Sequence, residues 1–273
     1  MIRTLAIHEF LRTRGMLGVL AGVATAFVAV GTLMVATGLT GVEAMGFIIA
    51  FTGLFGLLPV VLLALAIEYW RSAYGRGGYL TQTLPVRGAT IYGVRLLYGL
   101  VVTVVGLLWM VLAALPLGLI TAGRAAPRGV GALEHMLDIV RHVMSVITPG
   151  MAVVALLFLV LSTWGYLVQY YFAASIGSES RLAALGPGGP VLVWFILYLV
   201  MQAVMFAAIV LIPFGLGGTA GGISIVGIDM LGAMRGGTEV DAMPLGFLPA
   251  LILITVALIW RTARSWDRNV TLR

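Results

Sequence analysis

Tyr79-Leu80-Thr81-Gln82-Thr83-Leu84-Pro85-Val86-Arg87-Gly88 closes a short segment, opening near Arg71, that separates two hydrophobic runs over 44–67 and 91–121. Each run is long enough to cross a bilayer core of about 30 Å, which takes roughly 20 apolar residues. A connection that only joined two spans would need a few polar residues. This one holds Arg71, Arg76 and Arg87, the aromatics Tyr74 and Tyr79, and an apolar ridge of Leu80, Leu84 and Val86. The expected frame is an all-α integral membrane protein whose arginine-rich loop presents a docking surface.

The rest of the 273 residues fits that frame, with 61% hydrophobic and only 10% charged positions. An ordinary soluble domain carries about 25% charged residues. Further apolar runs over 16–39, 151–174, 191–212 and 245–260 bring the expected spans to six, in one transmembrane domain covering 1–273. The last run rises only about 24 Å at 1.5 Å per residue, so its ends are expected to extend by a turn on either side. The first run is too long for a cleavable signal peptide, and no small-residue cleavage site leads into a soluble domain. The chain has no cysteine, which excludes a disulfide framework, a thiol nucleophile and cysteine metal ligands. Its 16 basic residues are all arginine. A phosphate-binding P-loop needs a lysine, so any ATP-driven work must be powered by another polypeptide.

Arginine placement sets the expected orientation. With both termini inside, the cytoplasmic side holds twelve arginines (3, 12, 14, 71, 76, 87, 95, 181, 261, 264, 268 and 273) and the outside four (124, 128, 141 and 235). Residues 2–14 place Ile2, Leu5, Ala6, Phe10 and Leu11 near helical spacing, with Arg3, His8, Glu9, Arg12 and Arg14 between them. That pattern is expected to form a separate interfacial helix, its arginines toward anionic headgroups. Leu133, Met136, Leu137, Val140, Val143, Met144 and Ile147 repeat as one apolar stripe, predicting a helix that lies on or caps the outer face. His135 and His142 share a face of it, and without a third ligand beside them they read as solvated surface residues. The glycine-rich and apolar segment 215–244 is expected to form a pair of short re-entrant or interface-lying helices packed against protein, because irregular backbone at membrane depth needs such cover.

No Asp, Glu or His falls in the central part of any expected span, which argues against an ion-coupled carrier, where an acidic relay is common. Glu68 and Arg95 sit near span ends, placed to pair or to snorkel. Thr163, Gln169 and Gln202, with aromatic neighbours, are the polar groups that would line a pathway for an amphipathic substrate. Interhelical hydrogen bonding is the plainer role for them. Gly18 and Gly22 form a Gly-xxx-Gly face suited to close helix packing or dimerisation. Pro59, Pro116 and Pro213 are expected to kink or end their spans.

The arrangement resembles the permease subunit of a type-2 ABC exporter. The likeness is sharpest in Glu68-Tyr69-Trp70-Arg71 followed by Gly78-Tyr79-Leu80-Thr81-Gln82-Thr83-Leu84-Pro85-Val86-Arg87, and again in the closing Trp266-Asp267-Arg268-Asn269-Val270. The resemblance implies an N-terminal interfacial helix, six spans with both ends inside, and a coupling helix between spans two and three. It assigns ATPase coupling to Gly78, Tyr79, Leu80, Thr81, Leu84, Pro85, Val86 and Arg87. Leu80 and Leu84 would form an apolar knob for a groove of the ATPase. It also implies two copies of a separate ABC ATPase, with ATP and Mg bound there and no cofactor in this chain. A second copy of the chain or a homologous permease would complete the assembly in the bacterial cytoplasmic membrane. Membrane lipid is the remaining partner, and no nucleic acid is implied. The long amphipathic segment between spans three and four departs from relatives that have a short turn there.

The expected function is export of an amphipathic small molecule, peptide or lipid, with multidrug or antibiotic resistance as one outcome. The alternative is a non-transporting membrane scaffold or accessory subunit. An enzyme would need a nucleophile, a metal cluster or a paired acid and base in one place, and none is legible in the sequence.

Overall fold

The computed structural model describes residues 2–75, 78, 86–147, 149–179, 182–219, 222–236 and 242–268. In chain order the elements are α1 (Ile2–Ala36), α2 (Thr40–Ala73), α3 (Gly88–Ala125), α4 (Ala132–Val146), α5 (Pro149–Ile176), a 3-10 turn (Ala183–Leu185), α6 (Gly188–Leu211), β1 (Phe214–Thr219), β2 (Gly222–Gly227), α7 (Met230–Gly236), β3 (Ala242–Pro244) and α8 (Phe247–Arg268). Helices α1, α2, α3, α5, α6 and α8 are long and apolar enough to cross a membrane, so the chain is a multi-pass membrane protein. On α3, Val101, Val105, Leu108 and Leu112 form one face and each is more than half exposed. An apolar face of this kind is matched to lipid tails. Pro59 and Pro116 lie inside α2 and α3, which continue through them, whereas Pro213 follows the end of α6.

The chain divides into two compact units, Met1–Glu68 with Gly93–Leu167 and Tyr69–Tyr92 with Val168–Arg273. In the first, α1 and α2 meet across a three-residue turn where Gly38 takes φ +73°. The two helices then pass so closely that a Cβ on Gly31 would lie 2.5 Å from the Ala50 nitrogen. One on Gly46 would lie 2.7 Å from the Gly31 oxygen, and one on Gly53 would lie 2.9 Å from the Ala24 oxygen. Val28, Val35, Ala50, Leu54 and Leu117 form the core beside this crossing. Glu43 in the first turn of α2 pairs with Arg124 in the last turn of α3 at 3.0 Å. Each charge complements its own helix dipole.

Two expectations are corrected. The N-terminal segment is not a separate element, because residues 2–14 are continuous with the first span in one helix of 35 residues. Gly15 does not break it, and glycine is well tolerated in spanning helices. Among the described residues, a Cβ on Gly18 or Gly22 would meet nothing within 4 Å. The close crossing of α1 and α2 lies at Gly31, Gly46 and Gly53. Helix α8 extends past the 245–260 run at its C-terminal end, as expected, and reaches Arg268, with Thr262, Ser265 and Trp266 buried in the added turns.

The second correction concerns 215–244, where three antiparallel strands form in the order β2-β1-β3 and only one short helix, α7, is found among the described residues. Leu216 faces Ile225 and Met243 in register. Gly215 and Gly217 are buried in β1, where a Cβ on Gly215 would collide with Ile228 Cδ1 and one on Gly217 would lie 2.7 Å from Val226 Cγ2. Small residues on one strand beneath branched ones on its neighbour make a sheet pack, a pattern that hydrophobicity alone does not distinguish from helix. The stripe over 133–147 does form a helix, α4, and its Leu133, Leu137, Val140 and Met144 remain exposed.

Candidate functional site at the base of the arginine-rich loop

Four elements of the second unit meet where α2 ends and α3 begins. The last turns of α2 bring Tyr69, Trp70 and Tyr74. Helix α5 and the turn after it bring Tyr171, Ser175, Ser178 and Glu179, with the first three spaced i, i+4 and i+7 along one face. The end of α8 brings Arg261, Ser265, Trp266 and Asp267. The start of α3 brings Gly88, Ala89 and Tyr92.

Tyr69 is the centre, with 1% of its surface exposed. Its ring stacks on Tyr171 with centroids 4.0 Å apart and planes at 11°, a geometry worth about 1 kcal/mol beyond area burial. The Trp266 indole donates from Nε1 to Tyr69 Oη at 2.6 Å. Tyr69 Oη lies 2.7 Å from the fully buried Ser175 Oγ. Indole nitrogen can only donate, so Tyr69 accepts from Trp266, while either hydroxyl can donate in the Tyr69–Ser175 bond. Trp70 Nε1 donates to Ser178 Oγ at 3.0 Å. Tyr74, in the turn where the loop departs, packs edge-on against Trp266 with centroids 5.9 Å apart.

The returning end of the loop is held nearer the surface. Arg87 precedes α3, and its carbonyl accepts from Thr90 N–H at 2.9 Å. Helix amides in a first turn lack intrahelical acceptors, and an arginine side chain has no oxygen to cap them. The Asp267 carboxylate supplies one, accepting from Ala89 N–H at 3.0 Å. Gly88 passes so close to α8 that a Cβ on it would lie 2.5 Å from the Trp266 carbonyl oxygen. One turn back on α8, Arg261 Nη2 donates to Glu179 at 2.9 Å and Ser265 Oγ donates to the same carboxylate at 2.7 Å.

The first unit carries a second polar network, made of charges. Arg95, only 4% exposed, donates to Glu9 at 2.7 Å. Arg12 pairs with Glu9 and lies 3.1 Å from Glu68. Beside them Thr13 Oγ1 meets Tyr98 Oη at 2.5 Å. Glu68 and Arg95 are therefore linked through Glu9 and Arg12, where Arg12 was expected to face headgroups.

Of the loop residues singled out by sequence, Gly78, Val86 and Arg87 are described, and Tyr79, Leu80, Thr81, Leu84 and Pro85 lie outside the described residues. Gly78 is helical, with its N–H donated to the Gly75 carbonyl at 2.8 Å. Val86 is half-buried and Arg87 exposed. Thr163 donates its hydroxyl to Leu159 of its own helix at 2.7 Å, while Gln169 is half-buried and Gln202 exposed. Sequence reasoning passed over Ser175, Ser178, Glu179 and Ser265. Their signal was polarity at helical spacing near the ends of two spans in a chain this poor in polar residues. Among the described residues no three His, Cys, Asp or Glu side chains come together as a metal would need.

What this arrangement can do is mechanical: neutral hydrogen bonds, stacked rings and one carboxylate cap fix both ends of the loop to the same buried base. Compared with family models, curated proteins and solved structures, the chain matches none of them.

Proposed function

We propose that this chain is the membrane subunit of an ATP-driven exporter of the type-2 ABC kind, with the arginine-rich loop as the docking site of a separate ATPase. One observation carries the proposal: the loop leaves α2 and returns to α3 on a buried, hydrogen-bonded base. A passive connection needs no such base, whereas an element that passes force from an ATPase into spanning helices must be stiff at both ends. In this reading both termini and the loop face the cytoplasm across a bacterial inner membrane. Two copies of the chain, or one and a homologue, assemble with two ATPase subunits that bind ATP and Mg. The cargo is amphipathic. The competing reading, a scaffold or accessory subunit, is favoured by no specific contact.

The test is reconstitution in liposomes with an ATP-binding-cassette protein encoded beside this chain. The expected result is ATP-dependent movement of a fluorescent amphiphile by the complex, with neither movement nor ATP hydrolysis by this chain alone. Hydrolysis by the purified chain would contradict the proposal. A complex that hydrolyses ATP but moves no amphiphile would favour the scaffold.

A further inference from the structure

The two ends of the arginine-rich loop are gripped by two consecutive residues far away in sequence. Trp266 holds the departing end, through its indole hydrogen bond to Tyr69 and its edge-on contact with Tyr74. Asp267 holds the returning end by capping Ala89 at 3.0 Å, while the Trp266 backbone is the surface that Gly88 passes. The same stretch of α8 also holds the turn after α5, since Arg261 and Ser265 both reach Glu179. Two connections of the chain thus converge on the last turns of one helix.

We infer that Trp266 and Asp267 are positioning residues for the loop, and that α8 is the third spanning helix, beside α2 and α3, to move when the loop is displaced. The grip is a property of this chain alone; its use in carrying an ATPase stroke rests on the docking proposal above. The physical argument is one of stiffness. Displacing the loop while α8 stays in place would strip the first turn of α3 of its cap and leave a buried indole N–H without its acceptor. Both are costly, so the lower-energy motion carries α8 along. Helix α8 packs in turn against α6, which extends the path within the same unit.

The first arm of the test needs no ATPase. The chain has no lysine, so trypsin cuts only after arginine, and Arg87 is exposed directly before the capped turn. In detergent micelles, cutting the Arg87–Gly88 bond requires that turn to open. Asp267→Ala is expected to raise the initial rate of this cut about fivefold, the usual worth of a helix cap. Asp267→Asn, which keeps a capping oxygen, is expected to restore it to within about twofold. Arg264→Ala, an exposed change on the same helix, should leave it unaltered. Equal rates in the wild type and Asp267→Ala, or no recovery in Asp267→Asn, would overturn the positioning role.

The second arm uses the assembled complex. Asp267→Ala should still co-purify with the ATPase and hydrolyse ATP, but move less amphiphile per ATP, again with recovery in Asp267→Asn. An unchanged transport-to-hydrolysis ratio would overturn the part played by α8. If no ATPase binds even the wild type, the docking proposal fails while the proteolysis result stands on its own.

Discussion

The two polar networks of this protein solve a similar problem with opposite chemistry. In the first unit Glu68, Arg12, Glu9 and Arg95 alternate in sign, and Arg95 is only 4% exposed. In the second, Tyr69, Trp266 and Ser175 are almost wholly buried and carry no charge at all. A buried charge is tolerable only while its partner stays, and removing one member strands the other. A neutral network loses about one hydrogen bond's worth at a time, plus the cost of any group left unsatisfied. The contrast teaches that the charged network depends on its shared central carboxylate, whereas the neutral one spreads its cost over separate hydrogen bonds.

That comparison can be broken by measuring stability in mixed micelles. Glu9→Ala should have the largest effect, a loss of about 3 kcal/mol, since it removes the carboxylate that bridges Arg12 and the buried Arg95. Tyr69→Phe keeps the stacked ring but removes the hydroxyl between Trp266 and Ser175, and should cost about 2 kcal/mol. If Tyr69→Phe proved more damaging than Glu9→Ala, the ranking of the two networks would be wrong. Arg12→Ala should come last, at about 1 kcal/mol, because Glu9 keeps Arg95 as its partner and Arg12 and Glu68 are 32% and 24% exposed, where pairs gain little. Raising salt to about 1 M shortens screening to roughly 3 Å. It should shrink the Arg12 effect further and leave that of Tyr69→Phe unchanged.

The legibility of the sequence followed the same physics. The six spans were readable because lipid demands long apolar runs, and each observed helix contains most of the expected stretch. The strands over 214–244 were not, because Gly215 and Gly217 look like flexibility until Ile228 and Val226 are placed over them. A Gly-xxx-Gly spacing such as Gly18 and Gly22 describes one helix face without saying what meets it. The partners that matter, Gly31 and Gly46, lie on different helices. The base of the loop was half legible. Tyr69, Trp70 and Trp266 stood out in the motif-like stretches, but their hydroxyl partners lie about a hundred residues or more away. Local pattern carries no information on such a pairing. Glu9 and Arg12 fitted an interfacial helix equally well by spacing, and only the fold turns them inward.

The central claim is that the arginine-rich loop is where an ATPase docks, and a single charge tests it most directly. Leu84→Asp puts a carboxylate into the apolar ridge that Leu80 and Leu84 are proposed to seat in the ATPase. An unpaired charge buried at an interface typically costs several kcal/mol, whereas Arg87→Ala at its rim should cost about 1 kcal/mol or less. Co-purification of the tagged chain with the neighbouring ATPase reads the outcome, at equal membrane expression of each variant. The account predicts that Leu84→Asp loses the ATPase and Arg87→Ala largely retains it. Full retention by Leu84→Asp, with hydrolysis still stimulated by an amphiphile, would contradict it.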